Sequence, residues 1–163
     1  MPEQLRHVHT SLTLDLAAAI VDAAIVARKR EGLLPLAVAV LDAGGNLVAF
    51  KREDGSGVMR FDIAFGKAHG ALGMGMSSRL IRDRLAQRPA FQSALAAASG
   101  GRFIPVPGGV LILDAQGLAI GAVGISGDAS DKDEYCAITA IHAAGCASEP
   151  VAPHPDWQAA GLG

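Results

Sequence analysis

The feature that most constrains this chain is a turn it uses twice. Leu41-Asp42-Ala43-Gly44-Gly45 and Leu113-Asp114-Ala115-Gln116-Gly117 set Asp and Gly at matching offsets between apolar runs. An Asp side chain bonds nearby backbone N–H groups and Gly takes the positive φ that a tight turn needs, so each block reads as the tip of a β-hairpin. Around the hairpins the apolar period lengthens to that of helices. Leu12, Leu16, Ile20, Ala23, Ala24 and Ala27 predict a helix starting near Thr10 or Ser11 and closing at Arg28-Lys29-Arg30 before Gly32. Three more helices are predicted between the hairpins. They are a Gly-spotted one from Arg60 to Met76, one capped by Ser77 or Ser78 and running to Gln87, and one opened by Pro89 and ending near Ser99-Gly100-Gly101. A last helix opens at Asp131, which reads as its cap, with Glu134 three residues on, and ends near Gly145. The order α-ββ-ααα-ββ-α predicts an α+β fold, an antiparallel sheet built from two β-hairpins and flanked by helices.

Composition supports one domain. Half of the 163 residues are hydrophobic and 18% are charged, which excludes disorder. The domain is expected over residues 1–147, with 148–163, rich in proline and poor in periodicity, as a C-terminal tail that packs only on a neighbour. A net charge of −2 lacks the basic footprint of a nucleic-acid binder. The longest apolar stretch, Leu16 to Ala27, is broken by Asp22 and is too short to span a bilayer. Met1-Pro2-Glu3-Gln4-Leu5-Arg6-His7 does not read as a secretory leader, and Cys136 and Cys146 are too few and too far apart for a disulfide framework. A cytoplasmic location is the expectation. Low charge and a mean hydropathy of +0.32 point to a homo-oligomer.

Several residues could carry chemistry. Lys67 shares a helix face with Ile63, Ala64, Gly70, Ala71 and Met74. Buried there, it could act as a base or hold a carboxylate; alternatively its stem lies on apolar surface and the ammonium reaches water. His69 is a candidate metal or haem ligand, acid–base group or plain surface histidine. Asp133 and Glu134, beside Ser126-Gly127-Asp128, are either charges favoured at a helix start or a proton acceptor or cation ligand. Gly108-Gly109 and Ser126-Gly127 offer backbone N–H groups to an anion, or are turns. Arg60, Arg79 and Arg102 could each fork onto an anionic group.

The same segments resemble the GlcG/HbpS family, the haem-binding or haem-degrading type of domain that is also similar to the C-terminal domain of PduO. The resemblance covers roughly Leu12 to Ala147. It is carried by Ala39-Val40-Leu41-Asp42-Ala43-Gly44-Gly45-Asn46-Leu47, by Ala64-Phe65-Gly66-Lys67-Ala68 and by Val106-Pro107-Gly108-Gly109-Val110. Ile120-Gly121-Ala122-Val123-Gly124-Ile125-Ser126-Gly127 follows, with Asp131, Asp133 and Glu134. It implies a profilin/PAS-like sandwich, a compact homo-oligomer and a small ligand, with haem as the best single choice. In that version His69 is the axial ligand, Arg60 or Arg102 lies near the propionates, and no other cofactor is needed. The pocket is expected between the Lys67/His69 helix, the Pro107-Gly108-Gly109 loop and the start of the last helix. The alternative is a cofactor-independent isomerase, hydratase or decarboxylase acting on a small carboxylate or carbonyl compound from a catabolic pathway. There Lys67 with Asp133 or Glu134 moves protons, and the Gly109 and Gly127 N–H groups hold an oxyanion.

Overall fold

The two hairpins meet at the centre of one sheet. In the computed structural model, which describes residues 4–162, β1 (Ala37–Asp42) and β2 (Leu47–Arg52) form the first hairpin. The second comprises β3 (Gly109–Leu113) and β4 (Ala119–Ser126). β1 pairs antiparallel with β4, matching Val38 to Ile125 and Val40 to Val123. Asp42 and Asp114 hold the turns as expected, Asp42 Oδ1 accepting from the N–H groups of Gly44 and Asn46 and Asp114 Oδ1 from those of Gln116 and Leu118. Met1, Pro2 and Glu3 of the N-terminal segment lie outside the described residues. Among the described residues no helix is long and apolar enough to cross a membrane.

Helices cover both faces, which is why the central strands are apolar throughout rather than alternating. On one face lie α1 (Leu14–Glu31) and α5 (Ser130–Ala143), whose Ile20, Ala24, Ile138 and Ile141 pack on Val38, Val40, Val123 and Ile125. On the other lies α2 (Arg60–Met74), with Ala68 and Ala71 against Leu41, Leu111 and Ala122. α3 (Ser78–Leu85) and α4 (Pro89–Ala98) extend from α2 around a smaller cluster of Ile81, Leu85 and Phe103. The glycines of α2 have a packing reason. Gly66 and Gly70 leave room for Ile104 and Phe103, and across the interface a Cβ on Gly124 would run into the Ala64 carbonyl.

Three expectations shift. α1 starts at Leu14 with Thr13 as its cap, Oγ1 accepting from Leu16 N–H at 3.2 Å, later than Thr10 or Ser11. α5 is entered through Ala129, not Asp131, and no side chain among the described residues caps it. The described part of the tail, residues 148–162, packs on its own chain: β5 (Ala147–Glu149) adds a fifth strand beside β3, completing the order β2-β1-β4-β3-β5. Beyond it Trp157 stacks on Tyr135 of α5, 3.7 Å between centroids and 6° between planes. A three-residue strand and a single aromatic contact leave no periodicity for sequence reading to find.

Candidate functional site

α2 sorts its polar residues to two sides, because positions two apart on a helix point about 200° away from each other. Lys67 faces inward. Only 2% of it is exposed, and Nζ donates to Asp133 Oδ2 at 3.1 Å and to the Ile125 carbonyl at 2.9 Å. The loop before β3 closes over it. Gly108, at φ +124°, has the stem of Lys67 where a Cβ would sit, about 3 Å away, so a larger residue would expel the amine. Asp133 is 1% exposed and accepts from Asp128 N–H through Oδ1 at 2.9 Å. Burial pushes the Asp133 carboxyl up to about 6, against the pull of the Lys67 ammonium and of the Asp128 and Gly127 N–H groups. Burial likewise lowers the Lys67 amine, against the attraction of Asp133. Lys67, Gly108 and Asp133 are therefore brought together as expected, across the Pro107 loop.

Glu134 points elsewhere. Its side chain is fully buried beside α3, where Arg79 Nε approaches Oε1 to 3.2 Å. That contact is an ion pair by distance but is not aligned as a hydrogen bond, and neither Glu134 oxygen has a hydrogen-bond partner among the described residues. Burial pushes Glu134 up to about 7, with Arg79 opposing. Of the three candidate arginines, Arg79 is thus the one that engages the acidic start of α5. In the sequence it stands as one of three equivalent arginines, and nothing in its neighbours sets it apart.

One of the two expected oxyanion donors is already in use. Gly109 N–H donates to Ser78 Oγ at 2.8 Å. Both glycines answer a packing demand instead: a side chain on Gly109 would strike the Lys67 carbonyl, and one on Gly127 the Pro35 carbonyl. Ser126 is buried and its Oγ accepts from Arg60 Nη1 at 3.0 Å, which holds Arg60 on the Lys67 side of α2.

His69 lies apart from Lys67, contrary to the single pocket expected for both. Its ring stacks on Phe65, 5.9 Å between centroids and 18° between planes, and Nδ1 lies 3.2 Å from the Arg102 carbonyl. A carbonyl only accepts, so Nδ1 carries the proton and the neutral ring keeps its lone pair on Nε2. Nε2 faces the first hairpin turn, 3.4 Å from where a Cβ of Gly45 would be. Two crevices flank the ring. One of 130 Å³ is walled by Gly44, Gly45, Leu72 and Gly73. The other, of 220 Å³, lies among Met74, Leu95, Arg102 and Phe103. The Arg102 side chain is exposed beside it and Nε donates to the Ser99 carbonyl. Among the described residues no group of three or more His, Cys, Asp or Glu side chains is placed to hold a metal ion.

This arrangement can be set beside known proteins. Residues 12–142 match the model of the family described as haem degrading protein HbpS-like. The chain belongs to the HbpS-like family. A relative of this HbpS-like chain is an uncharacterized 15.0 kDa protein from the dhaT–dhaS intergenic region of Citrobacter freundii, 33% identical over 79% of this chain and 90% of the relative. A double mutant of Streptomyces reticuli HbpS has a crystal structure that superposes with a TM-score of 0.72 at 28% identity, covering 89% of this chain and 97% of that one. The crystal structure of a PduOC:heme complex shares the fold at a TM-score of 0.75 and 24% identity, covering 85% and 98%. The HbpS-like fold is thus the two-hairpin α+β sandwich described above.

Proposed function

We propose that this HbpS-like chain is a small-ligand-binding protein whose ligand is haem, held at the outer face of α2 with His69 as the residue that meets the iron. The observation that carries the reading is the His69 ring itself. Its Nδ1–H is bonded to the Arg102 carbonyl and one face rests on Phe65, so the ring is oriented and the free Nε2 lone pair is the one presented. The family match and the heme complex formed by one structural neighbour agree with this choice.

The residues fit such a group in part. An imidazole nitrogen is a suitable iron ligand, glycine at 45 keeps the hairpin turn off the ring, and the exposed Arg102 can pair with a propionate. Each crevice is smaller than the roughly 300 Å³ at which pockets for drug-sized ligands begin, so either takes an edge of a macrocycle and no more. Haem supplies redox and oxygen chemistry when bound; the chain's residues orient it and bind its anionic edge. Titrating the protein with hemin tests this. A saturable Soret band is expected, weakened and shifted in His69→Ala and weakened in Arg102→Ala. An unchanged band in His69→Ala removes His69 from the role.

A second reading, a cofactor-independent proton-transfer enzyme for a small carboxylate or carbonyl compound, is favoured by the Lys67–Asp133 pair, in which burial moves both groups toward neutrality. Under it Lys67→Ala abolishes turnover of the substrate while circular dichroism stays native; turnover that survives excludes it.

A further inference from the structure

A cleft on another side of the molecule is used by neither reading and shares no lining residue with the His69 crevices. It occupies about 320 Å³ between α3, β5 and the segment that follows, and Arg79, Arg82, Asp83, Glu149 and His154 stand around it. Its acidic groups are engaged. Glu149 receives Ser77 N–H and Ser77 Oγ, and Asp83 accepts from Arg82 Nε at 2.9 Å. Its basic groups keep donors in reserve. A guanidinium has five N–H bonds. Among the described residues Arg82 uses only Nε, while Arg79 gives Nη2 to the Ala152 carbonyl and sets Nε against Glu134. His154 Nδ1 accepts from Asp156 N–H, so the neutral ring carries its proton on Nε2. Arg79 and Arg82 are three apart on one helix and so share a face.

We propose that this cleft binds a small dicarboxylate, one carboxylate on Arg79 and the other on Arg82, and that Glu134 behind Arg79 competes with the ligand for that guanidinium. A planar carboxylate matches the fork of a guanidinium, and two forks on one helix face suit two carboxylates. Glu134 is fully buried with both oxygens lacking a hydrogen bond, so Arg79 is its main counter-charge. When Glu134 takes up a proton, Arg79 is released to the ligand; when it ionises, Arg79 is drawn back. The groups that act on Glu134 are Arg79 and Arg82 from α3, Asp131 from its own helix and Glu149 from β5. Lys67 of α2 lies within electrostatic reach on the inner side, and His154 lines the cleft from the segment after β5. With Glu134 raised to about 7, roughly nine-tenths of it is protonated near pH 6 and one-tenth near pH 8. Binding is therefore favoured by acid and takes up a proton.

Calorimetric titration of the full chain with succinate at low ionic strength tests this. Expected are saturable binding near pH 6, affinity about tenfold weaker near pH 8, and net proton uptake when buffers of different ionisation enthalpy are compared. Glu134→Gln is expected to bind near pH 8 as tightly as the parent does near pH 6. Arg82→Gln, at an accessible position, is expected to weaken binding at least fivefold at both pH values. His154→Asn controls for imidazole titration and is expected to keep most of the pH dependence, and uncharged succinamide is expected not to bind. Circular dichroism establishes that each variant is folded. No saturable heat near pH 6, binding untouched by Arg82→Gln, or a pH dependence that persists in Glu134→Gln or vanishes in His154→Asn overturns the proposal.

Discussion

Replacing Lys67 by methionine keeps most of the stem volume and deletes the ammonium. Two effects follow from the geometry. The Ile125 carbonyl loses the donor at 2.9 Å, and a buried acceptor left unpaired costs about 1–3 kcal/mol. Asp133, still 1% exposed, loses its cation and holds its proton to higher pH than the parent value of about 6. A carboxyl whose native pKa is raised gives up stability as pH climbs from its unfolded to its folded value, at about 1.4 kcal/mol per unit. The parent stops losing near pH 6, whereas the variant goes on losing for as long as Asp133 stays protonated. The deficit of Lys67→Met therefore grows between pH 6 and pH 8, by up to about 2–3 kcal/mol. Urea unfolding of parent, Lys67→Met and Lys67→Met/Asp133→Asn at pH 5, 6 and 8 measures this, and the double variant is expected to show no growth. A Lys67→Met deficit that is flat with pH would falsify the assignment of Asp133 as the charge that Lys67 holds.

Other outcomes follow from the same physics. Glu134, raised from 4.5 to about 7, makes folding weaken by about 3 kcal/mol as pH rises through that window, and Glu134→Gln should flatten this part of the profile in melts at pH 5 and 8. Gly124→Ala forces a methyl against the Ala64 carbonyl and should cost about 1–3 kcal/mol or prevent folding, seen in expression yield and urea midpoint; a parent-like midpoint would show that α2 does not sit so close. Trp157→Ala removes the stack on Tyr135 and should lower unfolding free energy by about 0.5–1.5 kcal/mol. As the chain has one Trp and one Tyr, tail docking can be followed by tyrosine-excited emission, which should fall before the main transition if the tail releases first.

The hairpins were legible because Asp42 and Asp114 act within a few residues of themselves, and the helices because their apolar positions repeat. The small neighbours of Lys67 left burial and a solvent-reaching ammonium both open, and its partners Ile125 and Asp133, far along the chain, decide for burial. What escaped was long-range. Nothing local shows that Ser78, 31 positions away, takes the Gly109 N–H, and that use removes one donor from the expected anion nest. The pairing of Arg79 with Glu134 spans α3 and α5 and has no signature in spacing. The separation of His69 from Lys67 was available in principle, since two residues along a helix turn a side chain to nearly the opposite side.

The seating of α2 against Gly124 makes that helix a bulkhead. The Ala64 carbonyl and the Ala68 methyl close on Gly124 there, leaving no long side chain to deform, so the compartment behind stays shut to bulk solvent while the outer wall can be remodelled. Engineering on the histidine side, by widening a crevice or exchanging the donor, can proceed without flooding the lysine on the inner side. Any change that lifts the helix opens both at once.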